Sequence, residues 1–180
     1  MYLLKNNRTG EEAVYKTELE ISEKNGILNF RFIAENSQYY CPEKGYNGIH
    51  ARGDACEILI GSDPERKVYY EIEISPKNEV LLAKMEYCGI TEAGKARLNI
   101  GFVKDCFLQS KVELTETGYI VEVSFNKKDI LTGDGEVYFN AYRLETDGGT
   151  MEKHLFALNP TLCNRFHTPS CYLYLKDYLK

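Results

Sequence analysis

Val68-Tyr69-Tyr70-Glu71-Ile72-Glu73-Ile74 is the stretch that decides the fold. Successive side chains of a strand face opposite ways, so Tyr70, Ile72 and Ile74 share one side and Tyr69, Glu71 and Glu73 the other. Ser75-Pro76-Lys77-Asn78 then ends the run with turn residues. The same two-residue period recurs in both directions along the chain. Upstream it takes in Leu28, Phe30 and Phe32, then Cys56, Ile58 and Ile60 before the turn cluster Gly61-Ser62-Asp63-Pro64. Downstream it takes in Leu81, Ala83, Met85 and Tyr87, then Leu98, Ile100 and Phe102. Tyr119, Val121, Val123 and Phe125 follow the turn Thr117-Gly118, and Val137, Phe139 and Ala141 come next. Tyr172 with Tyr174, or Leu173 with Leu175, closes the series. These runs are rich in the β-branched and aromatic residues that suit a pleated surface, and stretches with a helical period are scarce. The expectation is an all-β fold, an antiparallel β-sandwich of two sheets.

The chain has 180 residues, the size of one domain, and shows neither an internal repeat nor a Gly/Ser or Pro-rich linker, so residues 1–180 read as a single domain. A net charge of −5 argues against sequence-independent nucleic-acid binding, which needs Lys and Arg to neutralise phosphates. No apolar run approaches the roughly 18 residues that span a bilayer, and Met1-Tyr2-Leu3-Leu4-Lys5 is too short for a signal-peptide core. A monomer without nucleic-acid or membrane partners is expected, cytoplasmic as written. The six cysteines, at 41, 56, 88, 106, 163 and 171, include no C-x-x-C pair and read as free thiols. Cys163 and Cys171 could pair in an exported protein. Asn7-Arg8-Thr9 is a formal glycosylation sequon.

Several blocks in order bring the chain close to a known family. They are Arg52-Gly53-Asp54-Ala55-Cys56-Glu57-Ile58-Leu59-Ile60, Tyr69-Tyr70-Glu71-Ile72-Glu73-Ile74-Ser75-Pro76, Tyr119-Ile120-Val121-Glu122-Val123-Ser124-Phe125 and Tyr138-Phe139-Asn140-Ala141-Tyr142-Arg143. Phe166-His167-Thr168-Pro169 follows them as an aromatic-His-x-Pro signature. Together they resemble the carbohydrate-binding module family 9-like group, related to DOMON domains, from about Glu18 to Leu175. The resemblance implies a jelly-roll-like sandwich, a non-catalytic oligo- or polysaccharide site at one edge, and often structural calcium. It also implies a tryptophan clamp around the sugar, whereas this chain has no Trp. Ile49-His50-Ala51-Arg52 and Phe156-Ala157-Leu158-Asn159-Pro160 stand near the two clamp positions.

A sugar ring presents apolar C–H faces and a fringe of hydroxyls, so its site needs aromatic platforms beside polar partners. The candidates are Tyr39, Tyr40, Tyr46, His50 and Arg52 in one long loop region, Asn140 and Tyr142 on a strand, and Asn159 and His167 in another loop. Against ligand contact stand plain structural roles: loop packing for the tyrosines, a hydrogen-bonded histidine for His167, and a buried salt bridge for Arg143. The alternative function is a scaffold or protein-interaction domain that has lost sugar binding. Glu71 and Glu73 stand about 7 Å apart by strand geometry, within the glycosidase range. Alternating glutamates nevertheless read as a solvated face, so no enzyme is expected. Asp129, Asp134 and Glu136 form an acidic, glycine-containing loop as the candidate for calcium, without EF-hand spacing.

Overall fold

The computed structural model describes residues 1–36, 38–42, 45–48, 53–147 and 150–179. In chain order its strands are β1 (Tyr2–Leu3), β2 (Lys5–Asn6), β3 (Thr17–Lys24), β4 (Ile27–Glu35), β5 (Ala55–Gly61), β6 (Val68–Ile74) and β7 (Val80–Ile90). They continue with β8 (Ala96–Phe102), β9 (Gln109–Leu114), β10 (Gly118–Asn126), β11 (Tyr138–Thr146), β12 (Lys153–Ala157) and β13 (Leu173–Tyr174). One sheet runs β1-β3-β4-β10-β9; the other runs β2-β12-β11-β5-β6-β7-β8, with β13 added beside β11. The pairings are antiparallel, and the expected all-β sandwich is the fold.

The strand period builds the core between the sheets. Leu19, Ile21, Leu28, Phe30, Phe32, Val121, Val123 and Phe125 of the first sheet meet Ile58, Ile60, Ile72, Ile74, Leu82, Phe139 and Phe156 of the second. Each such side chain, fully buried, stabilises by about 1.5–3 kcal/mol. Gly118 sits where β10 starts against β4, and a Cβ there would lie 1.9 Å from the Ala34 carbonyl oxygen, which explains the glycine.

The larger sheet departs from a one-sided pattern. Leu59, Tyr69, Leu81, Ala83, Met85, Tyr138, Tyr142, Ala157 and Tyr172 form a second buried cluster on its other face. That face was expected to be wet. It is dry because the segment after β12 folds back across it. In β7, Leu82 therefore enters the main core while Leu81, Ala83 and Met85 enter the second one.

Arg143 shows how one cation is held inside the sandwich. Its guanidinium donates to the Tyr119 hydroxyl at 3.2 Å, Thr17 Oγ1 at 2.9 Å and the Glu35 carbonyl at 2.6 Å, and it pairs with the Glu145 carboxylate. Asn36 donates to the other oxygen of Glu145. Both members of the pair are fully buried, as the inward position of Arg143 demanded. Arg143→Met should cost about 3–5 kcal/mol in urea unfolding, because it strands the buried Glu145 charge. Adding Glu145→Leu should recover part of that loss.

Candidate functional site

The segment spanning 158–168 crosses the outer face of the larger sheet, and two buried asparagines hold it there. Asn140 on β11 donates from Nδ2 to the Asn159 carbonyl at 2.8 Å, while its Oδ1 accepts from the Asn159 N–H at 3.1 Å. A side-chain amide thus stands in for a neighbouring strand. Asn7, just past β2, accepts from the Thr161 N–H at 2.9 Å and donates to the Cys163 carbonyl at 2.9 Å. Its sequon is therefore occupied by internal bonds. The Tyr142 hydroxyl donates to the Phe166 carbonyl at 2.9 Å, and the two rings stack with centroids 4.2 Å apart.

This clasp sets His167 above β6. One ring nitrogen, Nδ1, lies 2.9 Å from the Tyr69 hydroxyl, and Nε2 lies 3.2 Å from Glu71 Oε1. Beside them, Glu57 on β5 stands opposite Glu73 on β6 in the antiparallel register, and Glu71 lies two residues from Glu73 on the same face. The expectation of solvated glutamates fails: Glu57, Glu71 and Glu73 are 5%, 2% and 6% exposed. The crossing segment and the breadth of the sheet remove them from water. Burial, reinforced for Glu57 by Glu71 and Glu73 and for Glu73 by Glu71, pushes both groups well above the usual carboxylate range. Glu57 Oε1 and Glu71 Oε2 have no hydrogen-bond partner among the described residues. One donor atom each from Glu57, Glu71 and His167 lies within 4.8 Å of the others.

These groups floor a cavity of about 640 Å³. Its walls carry cations, Arg8, Lys95, Lys153 and Arg165, and apolar surface from Leu98, Ile100, Leu155 and Phe166. A cavity of similar size, about 650 Å³, lies on the first sheet among polar strand faces. There Arg31 is paired with Glu20 and Glu122 at 3.1 and 3.2 Å, so that surface is already satisfied by its own charges. The buried carboxylates make the 640 Å³ cavity the better site.

The candidates from the sequence separate into groups. His167 lines the cavity, Phe166 beside it, and Asn159 fixes the segment that carries them. Asn140 and Tyr142 share a face, as the strand period required, but both are fully buried and committed to internal bonds. As ligand contacts they are corrected: they support the site from beneath. Tyr39 packs edge-on against Tyr119, and the Tyr40 N–H donates to Asp54 Oδ2 at 2.8 Å. The Tyr46 hydroxyl donates to the Val103 carbonyl at 2.9 Å. None of these three lines the cavity. His50 and Arg52 lie outside the described residues. Glu57 and Arg165 went unrecognised as site residues because each depends on what the crossing segment covers. Asp129, Asp134 and Glu136 do not converge on a common point, and Glu136 pairs with Lys176. Cys163 and Cys171 are free thiols, like the other four cysteines.

The two antiparallel sheets form a β-sandwich whose fold is like that of carbohydrate-binding module family 9 structures. Among solved structures, the chain is similar to a protein described as carbohydrate-binding from Bacteroides uniformis, with TM-score 0.69 and 10% identity, covering 96% of this chain and 83% of that one. It is also similar to a carbohydrate-binding module family 9 from Caldicellulosiruptor kristjanssonii, solved with cellotriose (TM-score 0.55, 13% identity, 96% and 79% covered) and with glucose (TM-score 0.52, 14% identity, 96% and 82% covered). No family model matches the sequence, and no curated protein matches it.

The buried carboxyls fix a pH dependence. A carboxyl whose pKa is raised by folding contributes most to stability below its unfolded pKa, and that contribution is lost as pH rises toward the folded value. Glu57 and Glu73 behave this way from their ordinary 4.5 upward. They face Glu71 on β6, His167 and Arg165 on the crossing segment, and Lys153 on β12. Burial likewise pushes Asp54 up to about 6 and Glu145 up to about 7, the latter despite Arg143. The melting temperature in chelator should therefore fall between about pH 5 and about pH 8. Glu57→Gln should raise it at the upper end and flatten the slope; an equal or lower value in that variant at about pH 8 would contradict the burial of an uncompensated charge.

Proposed function

We propose that the chain binds saccharide, without transforming it, in the cavity between the crossing segment and the outer faces of β5, β6 and β8. The observation that carries this reading is the composition of one 640 Å³ space: carboxylate acceptors on its floor, cationic donors on its walls, and apolar side chains including Phe166 between them. Sugar hydroxyls need both kinds of polar partner in close range, and the ring's C–H faces need apolar contact. Phe166 supplies the aromatic surface in a chain without Trp, its ring backed by Tyr142. The likeness to modules solved with cellotriose and glucose supports the same reading at the level of fold. A non-catalytic role fits the same neighbours, and raised carboxyl pKa values alone specify no reaction.

Calorimetric titration with gluco-, xylo- and cello-oligosaccharides should show binding in the micromolar to millimolar range. Phe166→Ala should weaken it by roughly fivefold or more, the loss expected for one aromatic contact. Tyr46→Phe, remote from the cavity lining, should leave it unchanged. Failure of every oligosaccharide to bind at millimolar concentration would instead favour a protein-interaction role for the fold. Turnover of aryl glycosides, abolished by Glu71→Gln, would show chemistry at the site.

A further inference from the structure

We propose that Glu57, Glu71 and His167 form a site for a first-row divalent cation, foremost Zn²⁺, at the floor of the same cavity. Three independent features of the geometry point there. The first is convergence: two carboxylates from adjacent strands and one imidazole from the crossing segment bring donor atoms within 4.8 Å of one another. His167 Nε2 and Glu71 Oε1, at 3.2 Å, are already about as far apart as two donors roughly 2.1 Å from one tetrahedral ion.

The second feature is the pair of carboxylate oxygens without partners. Glu57 and Glu71 are more than nine-tenths buried, yet Glu57 Oε1 and Glu71 Oε2 have no hydrogen-bond partner among the described residues. Buried carboxylates are ordinarily paired, hydrogen-bonded or bound to a cation, because lost hydration must be replaced. The cations on the cavity walls do not supply those bonds. A metal ion held by Glu57 and by both oxygens of Glu71 would.

The third feature is the histidine's own support. Metal-bound histidines generally anchor the ring nitrogen that does not touch the metal. The Tyr69 hydroxyl occupies that position at Nδ1, 2.9 Å away, and Tyr69 is itself fully buried on β6. With Nδ1 donating its proton to Tyr69, Nε2 would offer its lone pair inward, toward the glutamates.

The donor set also narrows the ion. Imidazole with carboxylate suits Zn²⁺ and its first-row neighbours, whereas Ca²⁺ prefers six to eight oxygens and Mg²⁺ an oxygen octahedron rich in water. Three protein donors leave a fourth tetrahedral position, and all three line the cavity. An ion there could accept a sugar hydroxyl or a water. The inference shares the cavity with the saccharide reading but does not depend on it.

The test uses the full chain stripped with chelator and titrated with Zn²⁺, Mn²⁺, Ca²⁺ and Mg²⁺ in separate calorimetric runs, with melting temperature as a second readout. One equivalent of Zn²⁺ should bind and raise the melting temperature, with Mn²⁺ weaker and Ca²⁺ and Mg²⁺ without effect at about 100 µM. His167→Gln and Glu71→Gln should each weaken Zn²⁺ binding at least about tenfold. Glu57→Gln gives a signature that misfolding cannot imitate: higher stability without metal, and weaker Zn²⁺ binding. Stoichiometric Zn²⁺ binding that survives both Glu71→Gln and His167→Gln would overturn the site and implicate the free thiols. So would the absence of Zn²⁺ binding at about 100 µM by the wild-type chain. Saccharide titration both in chelator and with Zn²⁺ added separates the two readings: sugar binding by a chain that binds no Zn²⁺ removes only the metal, and Zn²⁺ binding with no sugar bound under either condition removes only the saccharide.

Discussion

The structure of the site depends on one side-chain amide. Asn140 meets both the carbonyl and the N–H of Asn159, the bonding pattern that a further strand would provide. Because the amide is buried, its bonds are made in low dielectric, and an unmet partner would carry a desolvation cost. Asn7 repeats the device on Thr161 and Cys163. Together they press an irregular segment onto a sheet face that would otherwise be wet. Everything distinctive about the cavity follows from that coverage: the second apolar cluster, the placement of His167 over Glu71, and the withdrawal of three carboxylates from water.

How much of this the sequence reveals can be judged from particular residues. Period-two alternation placed Ile58, Ile60, Ile72, Ile74, Phe30, Phe32, Val121 and Val123 in a common core, where they are. The alternation also put Asn140 with Tyr142 and turned Arg143 inward toward a carboxylate. β9 left little trace because it is an edge strand with mostly polar residues, and β3 was not read as a strand, because its inward Leu19 and Ile21 are spaced among charged residues. Alternation reports which residues share a face but is silent on what covers that face. For Glu71 and Glu73 the default of solvent was the wrong guess, since the cover comes from residues nearly a hundred positions away. Glu57 gave no sign of its role for the same reason: its burial depends on what covers the face of β5.

Tyr39, Tyr40 and Tyr46 show a different limit of composition as a guide. A loop rich in tyrosine has the composition of a sugar platform, yet Tyr39 finds Tyr119 and Tyr46 finds the Val103 carbonyl. Aromatic side chains bury large surfaces and close loops onto cores whether or not a ligand exists. Composition alone does not distinguish these roles; the contacts show which internal partners the tyrosines have.

Two buried charge systems on opposite faces of one sheet make the final contrast. On the inner face, Glu145 is matched by Arg143 and Asn36, and Arg143 by Thr17, Tyr119 and the Glu35 carbonyl. Such a network is closed: its donors and acceptors satisfy one another and fix the two sheets in register. On the outer face, Glu57, Glu71 and Glu73 crowd together, with His167 against Glu71, while Glu57 Oε1 and Glu71 Oε2 have no hydrogen-bond partner among the described residues. That arrangement lowers stability near neutral pH, and a fold optimised only for stability would replace at least one of the three. Residual bonding capacity buried beside an accessible cavity is interaction energy that the chain's own groups do not use, which sets this face apart from the closed network opposite.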